Sequence, residues 1–263
     1  MKSIVTVGRR ALMAVLCFAG ACLADGEAER AQHRLDPGAA RANVDKATQL
    51  IFDGTNEFRA ENKLPALKRD ETLDATAMAF AKFMAETHKY GHEADGRKPA
   101  DRAEAKGYAY CVILENIALQ FRSDGFETMA LGRSFVEAWK NSPGHRKNML
   151  DPNAVEAGMA TAVSSNGVYY SVQLFGRPKS MVFDVRLENR SRTAVRYTLG
   201  DTEYDLGPRV IRTHSVCLTP TMKFALPAGS TPPDERLLNP VRATTFVITD
   251  NGGAVKINGV EKK

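Results

Sequence analysis

Three side chains in this sequence could do chemistry together, and each lies beside a turn or at the predicted end of an element. Glu115 opens the segment Glu-Asn-Ile-Ala, His145 follows Ser-Pro-Gly, and His92 follows Gly91. Neutral imidazole is the commonest metal ligand, and a nearby carboxylate can bind the metal, orient a histidine or act as a base. We therefore expect the three to converge on one site. For any one of them alone, a helix cap or a solvated side chain is the simpler interpretation.

The segments around these residues belong to an ordered series of short motifs. In chain order they are Asn56-x-x-Arg59, Gly91-His92, Gly107-Tyr108, Glu115-Asn116-Ile117-Ala118, Trp139, Ser142-Pro143-Gly144-His145-Arg146 and Gln173-x-Phe175-Gly176. This series resembles the CAP superfamily of cysteine-rich secretory, antigen 5 and pathogenesis-related proteins, and within it the bacterial secreted branch. The resemblance covers residues 45–177 and does not extend to the last third of the chain.

The resemblance implies roles for the three residues. His92 and His145 match the two cavity histidines, and Glu115 matches the Glu of the Glu-Asn motif. Many animal and plant members carry a further cavity Glu three positions after the Trp, where this chain has Ser142, a form that the bacterial branch often shows. In members with the full set, the two histidines coordinate a divalent metal, commonly zinc or magnesium. Because only two protein ligands are in view here, we expect the metal to bind weakly and exchangeably.

The first 24 residues have the pattern of a secretory signal peptide. Three basic residues precede an apolar run over residues 11–23, which ends in small residues and is too short for a membrane span. We place cleavage after Ala24, which predicts an exported protein, periplasmic or extracellular, with a flexible leader over residues 25–44. The alternative is a lipoprotein signal with Cys22 acylated, although the residue three positions before Cys22 is Ala rather than the usual Leu.

Export changes how the cysteines are interpreted. Cleavage after Ala24 leaves Cys111 and Cys217. In an oxidising compartment such a pair is a candidate disulfide, which would join the two halves of the chain. The alternative is two buried thiols that pack as small hydrophobes, and the sequence leaves both open.

The charge distribution bears on the class of partner. The net charge is +5, from 36 Lys and Arg against 31 Asp and Glu, and the two signs are interspersed along the chain. This pattern indicates mild attraction to anionic envelope surfaces at most and no nucleic-acid binding. We expect a monomer.

Hydrophobic periodicity predicts the elements that position the three side chains. Helices are predicted from Lys46 to Pro65, from Asp70 to Thr87, over residues 99–106 and over residues 126–140, the last with Met129, Val136 and Trp139 on its buried face. A strand over residues 108–114 would deliver Glu115 at its end. The polar loop before it carries His92 and a histidine expected at the surface, His88.

Residue types around His145 predict how it is presented. Ser142 and Pro143 are suited to the cap and first position of a helix, so His145 would lie in the first turn. There the helix dipole disfavours the protonated ring and leaves a neutral imidazole that can accept a metal or a proton. Further on, Asn166-Gly167 between two β-prone runs predicts a β-hairpin.

This order of elements predicts an α+β fold with two domains. The resemblance implies that residues 45–177 form the α-β-α sandwich of the CAP family, with a cleft where the site residues meet. Residues 178–263 contain short alternating strands separated by turns, which is typical of a small all-β sandwich-like domain. We expect His214 there to be a surface residue and this domain to serve as a targeting or envelope-binding module.

Three functions of different classes remain open. The first is a non-enzymatic secreted binding protein for a lipid, peptide or envelope component, favoured by the binding and signalling roles of the family and by the lack of a nucleophile motif. The second is a metal-assisted hydrolase in which Glu115 acts as catalytic base while His92 and His145 hold the ion. The third is an envelope protein that works through protein contacts, with the His/Glu cluster serving only to join loops.

Overall fold

The computed structural model describes residues 35–262, so the predicted signal peptide and the alternative acylation site at Cys22 lie outside the described residues. Residues 35–262 contain no helix that is both long and apolar enough to cross a membrane. The described chain forms a mixed region of helices and strands followed by a region rich in strands. This confirms the predicted α+β class.

The first region is a four-stranded sheet covered by helices. The helices are α1 (Val44–Glu61), α2 (Glu71–Thr87), α3 (Pro99–Ala105), α4 (Thr128–Lys140) and α5 (Pro143–Met149). The strands are β1 (Lys68–Arg69), β2 (Tyr110–Gln120), β3 (Glu156–Val163) and β4 (Tyr169–Pro178). The sheet order is β1-β3-β4-β2, so β2 is an edge strand, and it runs antiparallel to β4. Strands β3 and β4 form the predicted hairpin, whose turn places Gly167 at a φ of 85°.

Helices cover both faces of this sheet because the side chains of each strand alternate between the faces. In β4, Val172 and Leu174 pack in the core shared with α2, whereas Phe175 packs on the other face with α1 and α4. Trp139 is buried in this second core beside Phe135. The layers are those of the predicted α-β-α sandwich.

Two details of the predicted elements are wrong. Strand β2 continues through Glu115, which lies in the middle of the strand and pairs with Leu174. The apolar pattern breaks at Glu115 because polar side chains are buried there, and their partners are distant in sequence. Met129 is 55% exposed, since it lies in the first turn of α4, whose buried side chains begin only at Leu131.

The described end of the predicted flexible leader, residues 35–44, is bound to the domain rather than free. The Asp36 N–H donates to the Ser123 carbonyl at 2.7 Å, and the Ala42 N–H donates to the Tyr169 hydroxyl at 3.1 Å. These bonds lead directly into α1, whose N-cap is Asn43. Residues 36–42 are thus tied to the domain by backbone hydrogen bonds.

The second region packs two sheets over one core. Its strands are β5 (Phe183–Asn189), β6 (Val195–Leu199), β7 (Thr202–Leu206), β8 (Ile211–Val216), β9 (Met222–Ala225), β10 (Thr244–Asn251) and β11 (Ala254–Glu261). The sheet orders are β11-β10-β5-β8 and β7-β6-β9. Leu187 and Phe246 of one sheet share a core with Tyr197 of the other. His214, expected at the surface, is instead half-buried, with its Nε2 2.6 Å from the Tyr197 hydroxyl.

A disulfide joins the two regions. Cys111 in β2 and Cys217 after β8 are bonded, with their Cα atoms 5.7 Å apart. Beside this bond, Arg177 Nε donates to the Cys217 carbonyl at 2.8 Å. Of the two possibilities that the sequence leaves open for these cysteines, the structure contains the bridge.

Replacement of both cysteines, Cys111→Ser with Cys217→Ser, should lower the free energy of unfolding. The reduction should be up to about 4.7 kcal/mol, because the bridge closes a loop of about 100 residues in the unfolded chain. Chemical denaturation with and without reductant measures the effect. The midpoint of the double variant should not respond to reductant. A wild-type midpoint equally insensitive to reductant would show that the bridge contributes nothing.

Candidate functional site

A buried ion pair between Glu115 and Arg102 forms the centre of the site. The Glu115 side chain in β2 is 1% exposed, and the Arg102 side chain in α3 is 6% exposed. Arg102 Nη2 donates to Glu115 Oε2 at 2.7 Å, and His92 Nδ1 lies 2.9 Å from Glu115 Oε1. Both carboxylate oxygens are therefore engaged within the protein. Removing either charge would leave the other buried and uncompensated, which typically costs about 3–5 kcal/mol.

Arg102 also fixes the loop that carries His92. Its Nη1 donates to Asp95 Oδ1 at 2.8 Å and to the Arg97 carbonyl at 2.7 Å, and its Nη2 donates to the His92 carbonyl at 3.0 Å. The guanidinium lies over the Phe80 ring of α2, 3.6 Å from the ring centroid. One side chain thus holds the loop backbone and the carboxylate that orients the His92 ring.

The next residue of β2, Asn116, makes a comparable connection on the opposite face of the sheet. Its Nδ2 donates to the His145 carbonyl at 3.1 Å and to Gln173 Oε1 at 3.0 Å. Asn148 Nδ2 donates to Asn116 Oδ1 at 2.9 Å, and Gln173 Nε2 donates to the Thr55 hydroxyl at 2.8 Å. This buried network holds α5, and with it His145, against β2.

The free edge of β2 is closed by side chains. The Glu115 carbonyl accepts from Asn148 Nδ2 at 3.1 Å. The Ile117 carbonyl accepts from Trp139 Nε1 at 3.3 Å and from the Tyr90 hydroxyl at 3.2 Å. An edge strand otherwise presents unpaired backbone groups to other chains. These bonds block strand addition here and anchor the elements on both sides of the sheet.

His145 lies in the first turn of α5, as predicted, and is partly buried. Burial lowers the pKa of its imidazole below the usual 6.5, and the nearby His92 lowers that pKa further by charge repulsion. The neutral ring is favoured, as expected. The principal cause is desolvation rather than the helix dipole.

The predicted metal ligands are His92 and His145, and the surrounding residues can be tested against that role. Within residues 35–262, no group of three or more His, Cys, Asp or Glu side chains is arranged to hold a metal ion. Because Glu115 is fully engaged, a cation would have the two imidazoles as its protein ligands. Glu115 holds Nδ1 of His92, which leaves Nε2 as the ligating nitrogen, and such carboxylate–histidine pairs commonly orient metal ligands. The donor set fits a weak, open site rather than a closed structural one.

Sequence reasoning singled out Glu115, His92 and His145 but missed Arg102, which joins Glu115 to the loop that carries His92. In a seven-residue helix, an arginine among alanines and acidic residues resembles any solvated arginine. No local signal marks it for burial. Gln173 belongs to the motif series, but its bridging role depends on partners far away in the chain.

Residues 52–175 match the profile of CAP, the cysteine-rich secretory protein family. This part of the chain is a CAP domain. The match confirms the resemblance carried by the ordered motifs.

Similar proteins are found in bacteria. The YkwD protein of Bacillus subtilis is 31% identical over 140 residues, which are 53% of this chain and 51% of that protein. A protein of Borreliella burgdorferi is 23% identical over 131 residues, which are 50% of this chain and 79% of that protein. The chain thus spans about half the length of its Bacillus relative.

Solved structures with similarity to the CAP domain include two bacterial proteins. An outer surface protein from Borrelia burgdorferi is 22% identical, with a TM-score of 0.44, and the match covers 50% of this chain and 92% of that chain. An extracellular SCP-domain protein from Bacillus anthracis is 29% identical, with a TM-score of 0.43, over 51% of this chain and 41% of that chain.

Arg59, the last residue of the Asn56-x-x-Arg59 motif, supports the site through hydrogen bonds to the backbone. It is 1% exposed and donates to four carbonyls, those of Pro65, Met149, Asp151 and Ala154. Two of these acceptors end or follow α5, the helix that carries His145. Arg59 therefore positions this helix through backbone contacts.

The variant Arg59→Met should lower the free energy of unfolding by about 3 kcal/mol, because several buried carbonyls lose their donor. Urea denaturation measures the change. Arg133→Met, at an exposed position of α4, is the matched control and should shift stability by no more than about 0.5 kcal/mol. Equal midpoints for the two variants would contradict a supporting role for Arg59.

Proton NMR titration should place the pKa of the His145 imidazole below 6.5. His92→Gln should raise that pKa only part of the way, since burial is the larger cause. The same shift should make the protein lose stability as the pH falls below about 6.5, because the unfolded chain takes up the proton first. If the pKa of the His145 imidazole is the same in His92→Gln as in the wild type, the two rings do not interact.

Proposed function

We propose that this protein is an exported binding protein, not an enzyme, in which His92 and His145 hold a divalent cation weakly. The remaining positions on the cation would accept a donor from a lipid, peptide or other envelope component. One contrast carries the proposal: the Glu115 side chain is 1% exposed and fully paired, whereas the His92 side chain is 51% exposed. Imidazole ligands favour zinc, whereas magnesium prefers oxygen ligands, so zinc is the expected cation.

The state of Glu115 disfavours hydrolysis. A general base must come within hydrogen-bonding reach of the proton that it removes. Both Glu115 oxygens are already engaged, by Arg102 and by His92, and the side chain is buried. Its evident tasks are to balance the Arg102 charge and to orient the His92 ring.

Two features support export. The first 24 residues have the pattern of a signal peptide. The Cys111–Cys217 disulfide suits an oxidising compartment such as the periplasm or the cell exterior. In such a compartment the exposed imidazole of His92 is available to envelope ligands.

Calorimetric titration of the exported protein with Zn²⁺ should show weak, reversible binding. His92→Ala and His145→Ala should each reduce the affinity more than about tenfold, since loss of even an outer-shell partner commonly costs that much. His88→Ala is the matched control, because His88 is a half-buried histidine at the end of α2 outside the pair. It should leave the titration unchanged.

Three results would contradict the proposal. Zinc binding unchanged in folded His92→Ala and His145→Ala variants would place the cation elsewhere. Loss of thermal stability in these variants without loss of binding would favour a purely structural cluster. Hydrolysis of ester or peptide substrates that disappears in a folded Glu115→Gln variant would favour the enzyme.

A further inference from the structure

A groove between α2 and α3 forms a second cavity, beside Arg102. Its volume is about 450 Å³, and its walls include Ala79, Phe80, Phe83, Arg97, Arg102 and Lys106. This volume lies in the range of small-molecule sites, about 300–1,000 Å³. None of the sequence motifs points to this groove.

The polar wall of the groove is mainly cationic. Arg97 and Lys106 are exposed, and neither forms an ion pair within residues 35–262. Asp95 is the carboxylate that lines the groove, and it is already paired with Arg102 Nη1 at 2.8 Å. The groove therefore favours an anion.

Arg102 supplies a second, independent indication of a ligand. Its Nε is the one buried side-chain nitrogen or oxygen in the described part of the chain that has no hydrogen-bond partner. Both Nη atoms are engaged by Asp95, Glu115 and backbone carbonyls, so Nε is the donor that remains. Buried donors in proteins are nearly always paired. Arg102 lines the groove, so an acceptor bound there that reached Nε after a small side-chain shift would complete its hydrogen bonding.

The apolar wall of the groove contains two aromatic rings. Phe80 and Phe83 are nearly parallel, with an interplanar angle of 10° and centroids 6.3 Å apart. Ala79, which precedes Phe80 in α2, is exposed and has a small side chain. Aromatic rings and guanidinium groups both stack on flat aromatic surfaces, so these walls suit a flat ring better than a bulky or strongly polar body.

We propose that this groove binds a flat aromatic carboxylate. The ring lies against Phe83, and the carboxylate is directed to Arg97, Lys106 and the Nε–H of Arg102. This site does not use the His92 or His145 rings, so the proposal can be tested independently of the cation site.

Calorimetric titration of the exported protein with four probes tests the proposal. 2-Naphthoate has both the ring and the charge, 2-naphthalenemethanol has the ring alone, acetate has the charge alone, and decanoate has the charge on a flexible chain. We expect 2-naphthoate to bind most tightly. Binding of the neutral alcohol with equal affinity would overturn the anionic requirement, and tighter binding of decanoate would overturn the aromatic one.

Variants at exposed groove positions locate the binding without disturbing the core. Ala79→Phe fills the groove and should weaken 2-naphthoate binding by about tenfold or more. Lys106→Gln should weaken it by up to about fivefold, the range of one solvated charge contact. The matched controls are Ala138→Phe, at an exposed position of α4, and Lys82→Gln, on α2 outside the groove wall. Both should bind like the wild type.

The His145→Ala variant separates this site from the cation site. It should bind 2-naphthoate like the wild type, and an equal loss in His145→Ala and Ala79→Phe would place the ligand at the histidines. No detectable 2-naphthoate binding to the wild type, or binding unaffected by Ala79→Phe, would refute the proposal.

Discussion

The ion pair between Glu115 and Arg102 constrains the part of the CAP domain that is formed by β2, α3 and the loop that carries His92. Withdrawing two charges from water between β2 and α3 costs several kcal/mol per ion, which is offset only if the charges meet in good geometry and their other hydrogen bonds are made. Here Glu115 accepts from Arg102 and is bonded to His92, while Arg102 also binds Asp95 and backbone carbonyls. If the loop that carries His92 moved away, buried Glu115 and Arg102 would each lose hydrogen-bond partners.

Strand β2 connects the elements that carry His92 and His145. Adjacent residues of a strand point to opposite faces of the sheet, so Glu115 binds the α3 side while Asn116 binds the α5 side. Strand β2 is the edge strand of the sheet, and the elements that support the two histidines lie on its opposite faces. Burial, and to a lesser extent the charge of His92, lowers the pKa of the His145 imidazole.

Arg102 connects two surfaces of different chemistry. Its Nη atoms hold the Glu115 carboxylate and the His92 loop, and the same residue lines the groove between α2 and α3. One guanidinium thus balances the charge in the histidine site and lines a cationic, aromatic cavity. We propose a cation at the first of these surfaces and an anion at the second.

Much of the first region is predictable from sequence because the responsible interactions are local. Asp70 accepts from the Leu73 N–H as an N-cap, and Gly107 takes the left-handed conformation after α3 at a φ of 93°. The hairpin turn at Gly167 depends on residues within a few positions of it. The ordered motifs likewise brought Glu115, His92 and His145 forward as one candidate site.

Only the tertiary structure decided how these residues are used. Three features depend on contacts between side chains that are distant in sequence. They are the burial of Arg102, the two polar residues in the middle of β2, and the hydrogen-bond network from Asn116 to Thr55. A polar side chain inside a strand is stable only where such partners exist, and no local pattern encodes them. The sequence alone therefore determined only what depends on residue type and local pattern: the candidate residues, the approximate elements that carry them, and the two cysteines that could pair. The fold decided that Glu115 is a buried counter-ion, that desolvation keeps His145 neutral, and that the two cysteines meet.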